Sequence, residues 1–204
     1  MNRLSQTIQG VMAGLLIILG CAVYLASASI YAGALLFCVA LLGICMMGYA
    51  LFTGKVGFLA EHCTRSELEA VLLALLGNAL GTLCFGMLLR LGLPTLSQRA
   101  SELCAAKLAL PLTQALIRAY FCGVLMYLAV AIFRVKGSAL GIFLCVPAFI
   151  LSGFEHSIAD MGYFAIAGVF SGRTLAFLAA VVAGNAIGGF TLPLLARVCR
   201  STKN

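Results

Sequence analysis

The pattern Gly77-Asn78-Ala79-Leu80-Gly81 returns 107 residues later as Gly184-Asn185-Ala186-Ile187-Gly188, both times inside an apolar run without a charge. The same offset carries the glycine-rich stretch 48–54 onto 155–161. That overlaps a second unusual stretch, Gly153-Phe154-Glu155-His156-Ser157-Ile158-Ala159-Asp160. It places a carboxylate, an imidazole, a hydroxyl and another carboxylate between uncharged flanks, 140–150 and 161–170. Ionisable groups at such depth cost roughly 3 kcal/mol or more each and mark ion or proton pathways. G-N-x-x-G alone would be small-residue helix packing. Paired with matching breaks, it points to two copies of one unit, which leaves few folds open.

Those runs lie in a chain of 204 residues that is 63% hydrophobic and 9% charged, with a mean hydropathy of +1.13. Soluble domains carry about 25% charged residues, so this is an integral membrane protein. The runs are continuous and reach the roughly 20 residues of a spanning helix. They lack the ten-residue alternation of a membrane β-barrel. The expected class is all-α. The net charge of +7 comes from residues flanking apolar runs, and no basic run with interleaved aromatics suggests nucleic acid. Nine cysteines at irregular spacing, with no C-x-x-C, argue against a disulfide framework or a metal site. Most read as small apolar packing groups, and no cofactor is expected. The first run follows a single Arg3, shows no small-residue cleavage site, and is read as a retained helix.

Six spans are expected. The first covers 8–27. The second, 30–49, breaks over 48–57 and resumes toward Glu61 and His62. The third is opened by a capping box of Ser66 with Glu69 and reaches Arg90. A polar connection, 91–106, carries Pro94, Arg99 and Glu102. The fourth span starts at Lys107, contains Pro111 and Arg118, and ends at Phe133. The fifth covers 139–170 and breaks at 153–160. The sixth covers 174–197. Three spans per half require the second half, about 99–204, to enter from the face opposite the first, about 1–98. The single transmembrane domain is then an inverted repeat with helices 2 and 5 broken at a midplane pathway. Both termini fall on one side with Arg3, Lys55, Arg65, Arg134, Lys136, Arg197, Arg200 and Lys203. Only Arg90, Arg99, Lys107 and Arg173 lie on the other. The basic side is cytoplasmic, so the chain is placed in the cell inner membrane with both termini inside.

His156 is the one histidine within a span. Its imidazole titrates near neutrality and is suited to offer a hydrogen bond or proton to a small anion. Thr53, at the opposite break, offers a hydroxyl. Glu155 is assigned structural work, tying down backbone N–H groups or pairing with a neighbouring helix, and Asp160 caps the second half-helix. Asn78 and Asn185 are likewise structural at the breaks, and His62 is interfacial. Phe37, Leu41, Leu51, Phe52 and Phe149 read equally as packing or as apolar gates that pass ions only when wetted. Lys107 reads equally as a snorkelling lysine or an anion collector.

Together the Phe-Glu-His-Ser-Ile-Ala-Asp-Met block, Leu51-Phe52-Thr53-Gly54, the two G-N-x-x-G motifs and the Lys107 region resemble the formate/nitrite transporter family, over nearly the whole chain. The resemblance implies an aquaporin-like six-helix protomer, a homopentamer, and one pathway per protomer for formate, nitrite or hydrosulfide. The aquaporins proper carry Asn-Pro-Ala at the half-helix ends, and that tripeptide is absent. By motif, His156 matches the central histidine and Thr53 the threonine of the broken second helix. Phe149 matches the outer-gate phenylalanine, seven residues before the histidine. Phe37, Leu41, Leu51 and Phe52 match the remaining constriction, and Lys107 the vestibule lysine. Two features depart. About seven residues precede the first span, where relatives usually carry an amphipathic helix. Asp160 is an asparagine in some relatives.

Protonation near His156 would let a neutral acid cross, making protons and small monovalent anions the expected partners beside the lipid bilayer. A water or neutral-solute channel of the same architecture is the alternative. An intramembrane hydrolase is not expected. There is no G-x-S-G motif, and Ser152 or Ser157 shares a short segment with His156.

Overall fold

The G-N-x-x-G patterns are seams where two helices approach closely. The computed structural model describes residues 2–201. It contains α1 (Arg3–Ala26), α2 (Ile30–Leu36), α3 (Cys38–Met47), α4 (Phe52–Lys55), α5 (Arg65–Gly92), α6 (Pro94–Leu108), α7 (Leu112–Lys136), α8 (Leu140–Leu151), α9 (Ser157–Ala167) and α10 (Gly172–Ser201). A 3-10 turn, Val56–Ala60, follows α4. There is no strand among the described residues. In α1 against α5, a Cβ on Gly81 would lie 2.5 Å from the Val11 carbonyl oxygen. In α7 against α10, a Cβ on Gly184 would lie 2.5 Å from the Leu116 oxygen. Only glycine lets the backbones approach so closely. That is how helices associate where lipid removes the hydrophobic drive between them.

α1, the run α2–α3, α5, α7 and α10 are each long and apolar enough to cross a membrane, and α8 is a shorter apolar helix. Large apolar side chains such as Leu36, Val39, Met46, Leu72 and Leu88 are exposed along these helices. In water that would be an aggregation surface, whereas a bilayer would cover it. Within a core that is mostly apolar, Thr53, Asn78, Glu155, His156, Asp160 and Asn185 are also buried.

Two interruptions share one geometry. α3 closes at Gly48, with φ of +71°, where Tyr49 N–H donates to the Ile44 carbonyl at 3.0 Å. After α8, Gly153 has φ of +67° and Phe154 N–H donates to the Phe149 carbonyl at 3.0 Å. Both turns need the left-handed conformation that glycine adopts without a Cβ penalty.

Four expectations are corrected. The connection 91–106 is largely helical: Pro94 sits at the first position of α6, where its missing N–H is harmless. Leu96, Ala100 and Cys104 supply a buried stripe at helical spacing. Lys107 therefore ends α6 rather than opening the fourth span, and α7 starts at Leu112 after Pro111. The capping box of α5 is Thr64 with Glu67: Glu67 Oε2 accepts from Thr64 N–H at 2.9 Å, and Thr64 Oγ1 from Glu67 N–H at 3.2 Å. Glu69 pairs instead with Arg3. The cap of α9 is His156, not Asp160. Lys203 lies outside the described residues.

Candidate functional site

Each interruption is held by one asparagine. Asn78 Oδ1 accepts from Phe52 N–H, the first of α4, at 2.8 Å. Its Nδ2 donates to the carbonyls of Ala50 at 2.8 Å and Gly10 of α1 at 2.9 Å. Asn185 Oδ1 accepts from Ser157 N–H, the first of α9, at 2.8 Å. Its Nδ2 donates to the carbonyls of Glu155 at 2.9 Å and Ala119 of α7 at 2.8 Å. An amide alone among neutral side chains supplies two donors and an acceptor in this fork. The helix ends at each interruption would otherwise leave buried backbone groups unpaired.

The interruptions meet at one hydrogen bond. Thr53 Oγ1 lies 2.8 Å from His156 Nε2. His156 Nδ1 accepts from Ala159 N–H at 3.0 Å, capping α9. An acceptor nitrogen carries no proton, so the neutral ring bears its proton on Nε2 and donates it to Thr53. The threonine hydroxyl hydrogen is then the polarised donor at this junction. Phe149 stacks on the His156 ring with centroids 5.6 Å apart, and Phe37 meets Phe149 edge-on at 6.3 Å.

Cavities flank the junction. One, of about 430 Å³, is lined by Phe37, Phe149, His156, Lys107, Glu155 and Asp160 among others. The other, of about 520 Å³, is lined by Leu41, Leu51, Lys55, His62, Phe58 and Arg134 among others. The first touches the start of α7 at Arg118, the second its end at Arg134. They open at opposite ends of the helices, the second on the side where α1 begins. Thr53 and Phe52 are buried and line neither. Phe37 and Phe149 thus belong to one cavity, and Leu41 and Leu51 to the other.

Lys107 Nζ pairs with Glu155 Oε2, and with Asp160 Oδ1 at 2.8 Å. Burial opposes the ammonium charge, but Asp160 and Glu155 outweigh it and hold the Lys107 pKa above the ordinary lysine value. Glu155 therefore pairs with a neighbouring helix, while the backbone N–H groups of the break go to Asn185 and His156. Ser157 Oγ and Asp160 Oδ2 are buried without a hydrogen-bond partner among the described residues. Four basic side chains on the Lys107 side meet backbone carbonyls: Arg90 that of Ala167, Arg99 that of Leu25 at 2.6 Å, Arg118 that of Gly153 at 3.5 Å, and Arg173 that of Leu110.

Sequence reasoning missed the union of Lys107 with two acids. The signal was present: Asp160 is the sole aspartate and lies in an apolar run, so it requires a cation. Tyr24 and Tyr163, which also line this cavity, carried no such signal. Nor did the Arg134 guanidinium, which lies 4.1 Å over the Phe58 ring centroid in the opposite cavity.

A polytopic helical membrane protein with interrupted helices joined between two opposed cavities is of the channel and transporter class. The Formate/nitrite transporter family model matches residues 1–199, and the chain belongs to that family. The Nitrite transporter NirC of Salmonella typhimurium (strain LT2) and that of Escherichia coli (strain K12) are each 33% identical to it over 143 residues. The match covers 64% of this chain and 53% of theirs. The chain thus spans about half the length of these curated relatives. Among solved structures, one described as an FNT family ion channel is similar with a TM-score of 0.77 at 27% identity, covering 97% of this chain and 89% of that one. A pentameric formate channel with formate bound has a TM-score of 0.80 at 19% identity, covering 98% of each; this likeness shows the fold alone.

Proposed function

We propose that each copy of this chain passes small monovalent anions (formate, nitrite or hydrosulfide) across the inner membrane, linked to proton uptake. The observation that carries this is the Thr53–His156 pair, a polarised hydroxyl donor buried between two cavities and faced by aromatic rings. Such a donor suits a small anion or weak acid. Family membership supports the substrate class. Six crossings follow if α2–α3 and α8 with α9 each make one; the matched turns at Gly48 and Gly153 and the matched amide forks of Asn78 and Asn185 support that repeat. The pentameric title of one similar structure supports a homopentamer. The basic residues on the α1 side support cytoplasmic termini.

The physical problem is desolvation. A bare monovalent ion in an apolar constriction costs tens of kcal/mol by Born solvation, whereas a neutral acid loses only a few kcal/mol of hydrogen bonding. An anion drawn to the Lys107 cavity is protonated near the Phe37–Phe149 constriction. It crosses as the acid while hydrogen-bonded at Thr53, and ionises again beyond Leu41 and Leu51. Hydrolysis has no geometric support: both ring nitrogens of His156 are engaged elsewhere, so neither is left to activate Ser152 or Ser157.

The test is flux into proteoliposomes of formate, nitrite and hydrosulfide against glycerol and water, with outside pH varied. Uptake of the anions rises with acid outside, and His156→Ala, which removes the partner of the Thr53 hydroxyl, lowers that uptake. Glycerol passage at rates matching the anions would instead establish the neutral-solute channel.

A further inference from the structure

We propose that Asp160 is the proton-carrying residue of the Lys107 cavity, delivering a proton from Oδ2 to the entering anion. This rests on the reading of the chain as a proton-linked anion pathway.

Three observations place the proton there. First, one ammonium faces two carboxyl groups, since Lys107 Nζ holds both Glu155 Oε2 and Asp160 Oδ1. With both acids ionised the cluster is net negative and repels an anion; with one acid protonated it is neutral. Second, Asp160 lines the cavity, and its Oδ2 is fully buried with no hydrogen-bond partner among the described residues. A carboxylate oxygen in that state is an unpaid desolvation cost, while an O–H there is a donor awaiting an acceptor. Third, His156 holds one proton, on Nε2, already donated to Thr53, and its Nδ1 is closed by Ala159 N–H. The reloadable proton that neutralises the anion therefore requires another group on the entry side of Phe149.

Among the described residues, no cation other than Lys107 pairs with Asp160. Lys107 and Cys104 approach from α6, Glu155 and His156 from the break, Cys21 from α1, Cys122 from α7, and Tyr163 follows along α9. Arg118, at the cavity rim, leans toward the Gly153 carbonyl at 3.5 Å. In the delivery step the Oδ2–H bond breaks, a new bond forms between that hydrogen and the anion, and the neutral acid moves past Phe149 and Phe37. The Asp160 carboxylate left behind stays paired with Lys107. A hydronium ion from the outside water restores the acid, so one proton crosses with each anion.

Asp160 is the chain's sole aspartate, so the native sequence can be read at one site. Protein made with 4-¹³C-aspartate, reconstituted in lipid, is followed by infrared difference spectroscopy as pH is varied. The expected result is a ¹³C-shifted carboxylic-acid C=O stretch at neutral pH, moved by deuterium oxide and reduced when formate is added. Asp160→Asn keeps an acceptor for Lys107 but has no transferable proton, so proton-coupled formate flux falls at least tenfold; Asp160→Glu restores it. A carboxylate that stays ionised from mildly acidic to neutral pH, in protein that moves anions, overturns the proposal alone. So does an Asp160→Asn variant with wild-type flux and pH profile. Wild-type protein showing the acid band but passing no anion overturns the functional reading and, with it, the delivery step.

Discussion

Replacing Asn185 by alanine removes one side chain and three hydrogen bonds: from Ser157 N–H, and to the Ala119 and Glu155 carbonyls. Asn185 is fully buried, so no water replaces them. Leaving buried polar groups unpaired costs about 1–3 kcal/mol each, while hydrogen bonds between membrane helices average nearer about 0.6 kcal/mol. Three losses bracket the effect at about 2–9 kcal/mol. For a chain of this size, each kcal/mol moves the melting temperature by roughly 2–4 °C, so Asn185→Ala should melt at least about 4 °C lower in detergent. The effect reaches function too, because Ser157 opens the helix that His156 caps. Formate flux should fall even below the melting transition. Asn185→Asp separates the parts: it keeps the acceptor for Ser157 N–H, loses both donors and adds a buried charge, so it should be no better than alanine. Asn78→Ala should match Asn185→Ala, and the double variant should be non-additive, since both breaks share the Thr53–His156 bond. Melting within about 1 °C of wild type for Asn185→Ala would falsify the view that this amide holds the break.

Gly81→Leu and Gly188→Leu should each prevent assembly, read as loss of the monodisperse peak in size-exclusion chromatography, because the added Cβ meets the backbone of α1 or α7. Phe149→Ala removes the ring stacked on His156 and should raise anion flux while lowering its preference over glycerol, measured by stopped-flow light scattering. The Lys107 pKa is raised in the folded protein. Its stabilisation is therefore complete below the ordinary lysine value of about 10.4 and is lost only as pH rises beyond it. The melting difference between wild type and Lys107→Gln should stay flat from about pH 8 to about pH 10 and shrink above.

The helical class was legible in the continuous apolar runs, and Asn78, His156 and Asn185 stood out because membrane burial leaves few reasons for a polar side chain. In a charge-free run, each of Asn78, His156 and Asn185 had to have a partner, and the glycines at 48 and 153 marked where the backbone would supply one. α6 was less legible. Its apolar stripe of Leu96, Ala100 and Cys104 is diluted by polar neighbours, and Pro94 suggests a break unless it is placed at a helix start. The capping frame slipped by two residues because Thr64-x-x-Glu67 and Ser66-x-x-Glu69 fit the same pattern; only the fold, by drawing Glu69 to Arg3, decides between them. The roles within the octapeptide depended on a helix far away in sequence. Asp160 fits a helix cap until Lys107 arrives 2.8 Å away, and His156 then takes the cap.

The most direct test is formate flux through Thr53→Val, a change close in shape that removes the hydroxyl hydrogen-bonded to His156. Losing that interaction should raise the barrier by about 1–3 kcal/mol, slowing formate roughly 5- to 150-fold, with the melting temperature held near wild type. Wild-type formate flux from Thr53→Val in a folded protein would contradict a pathway through the Thr53–His156 junction.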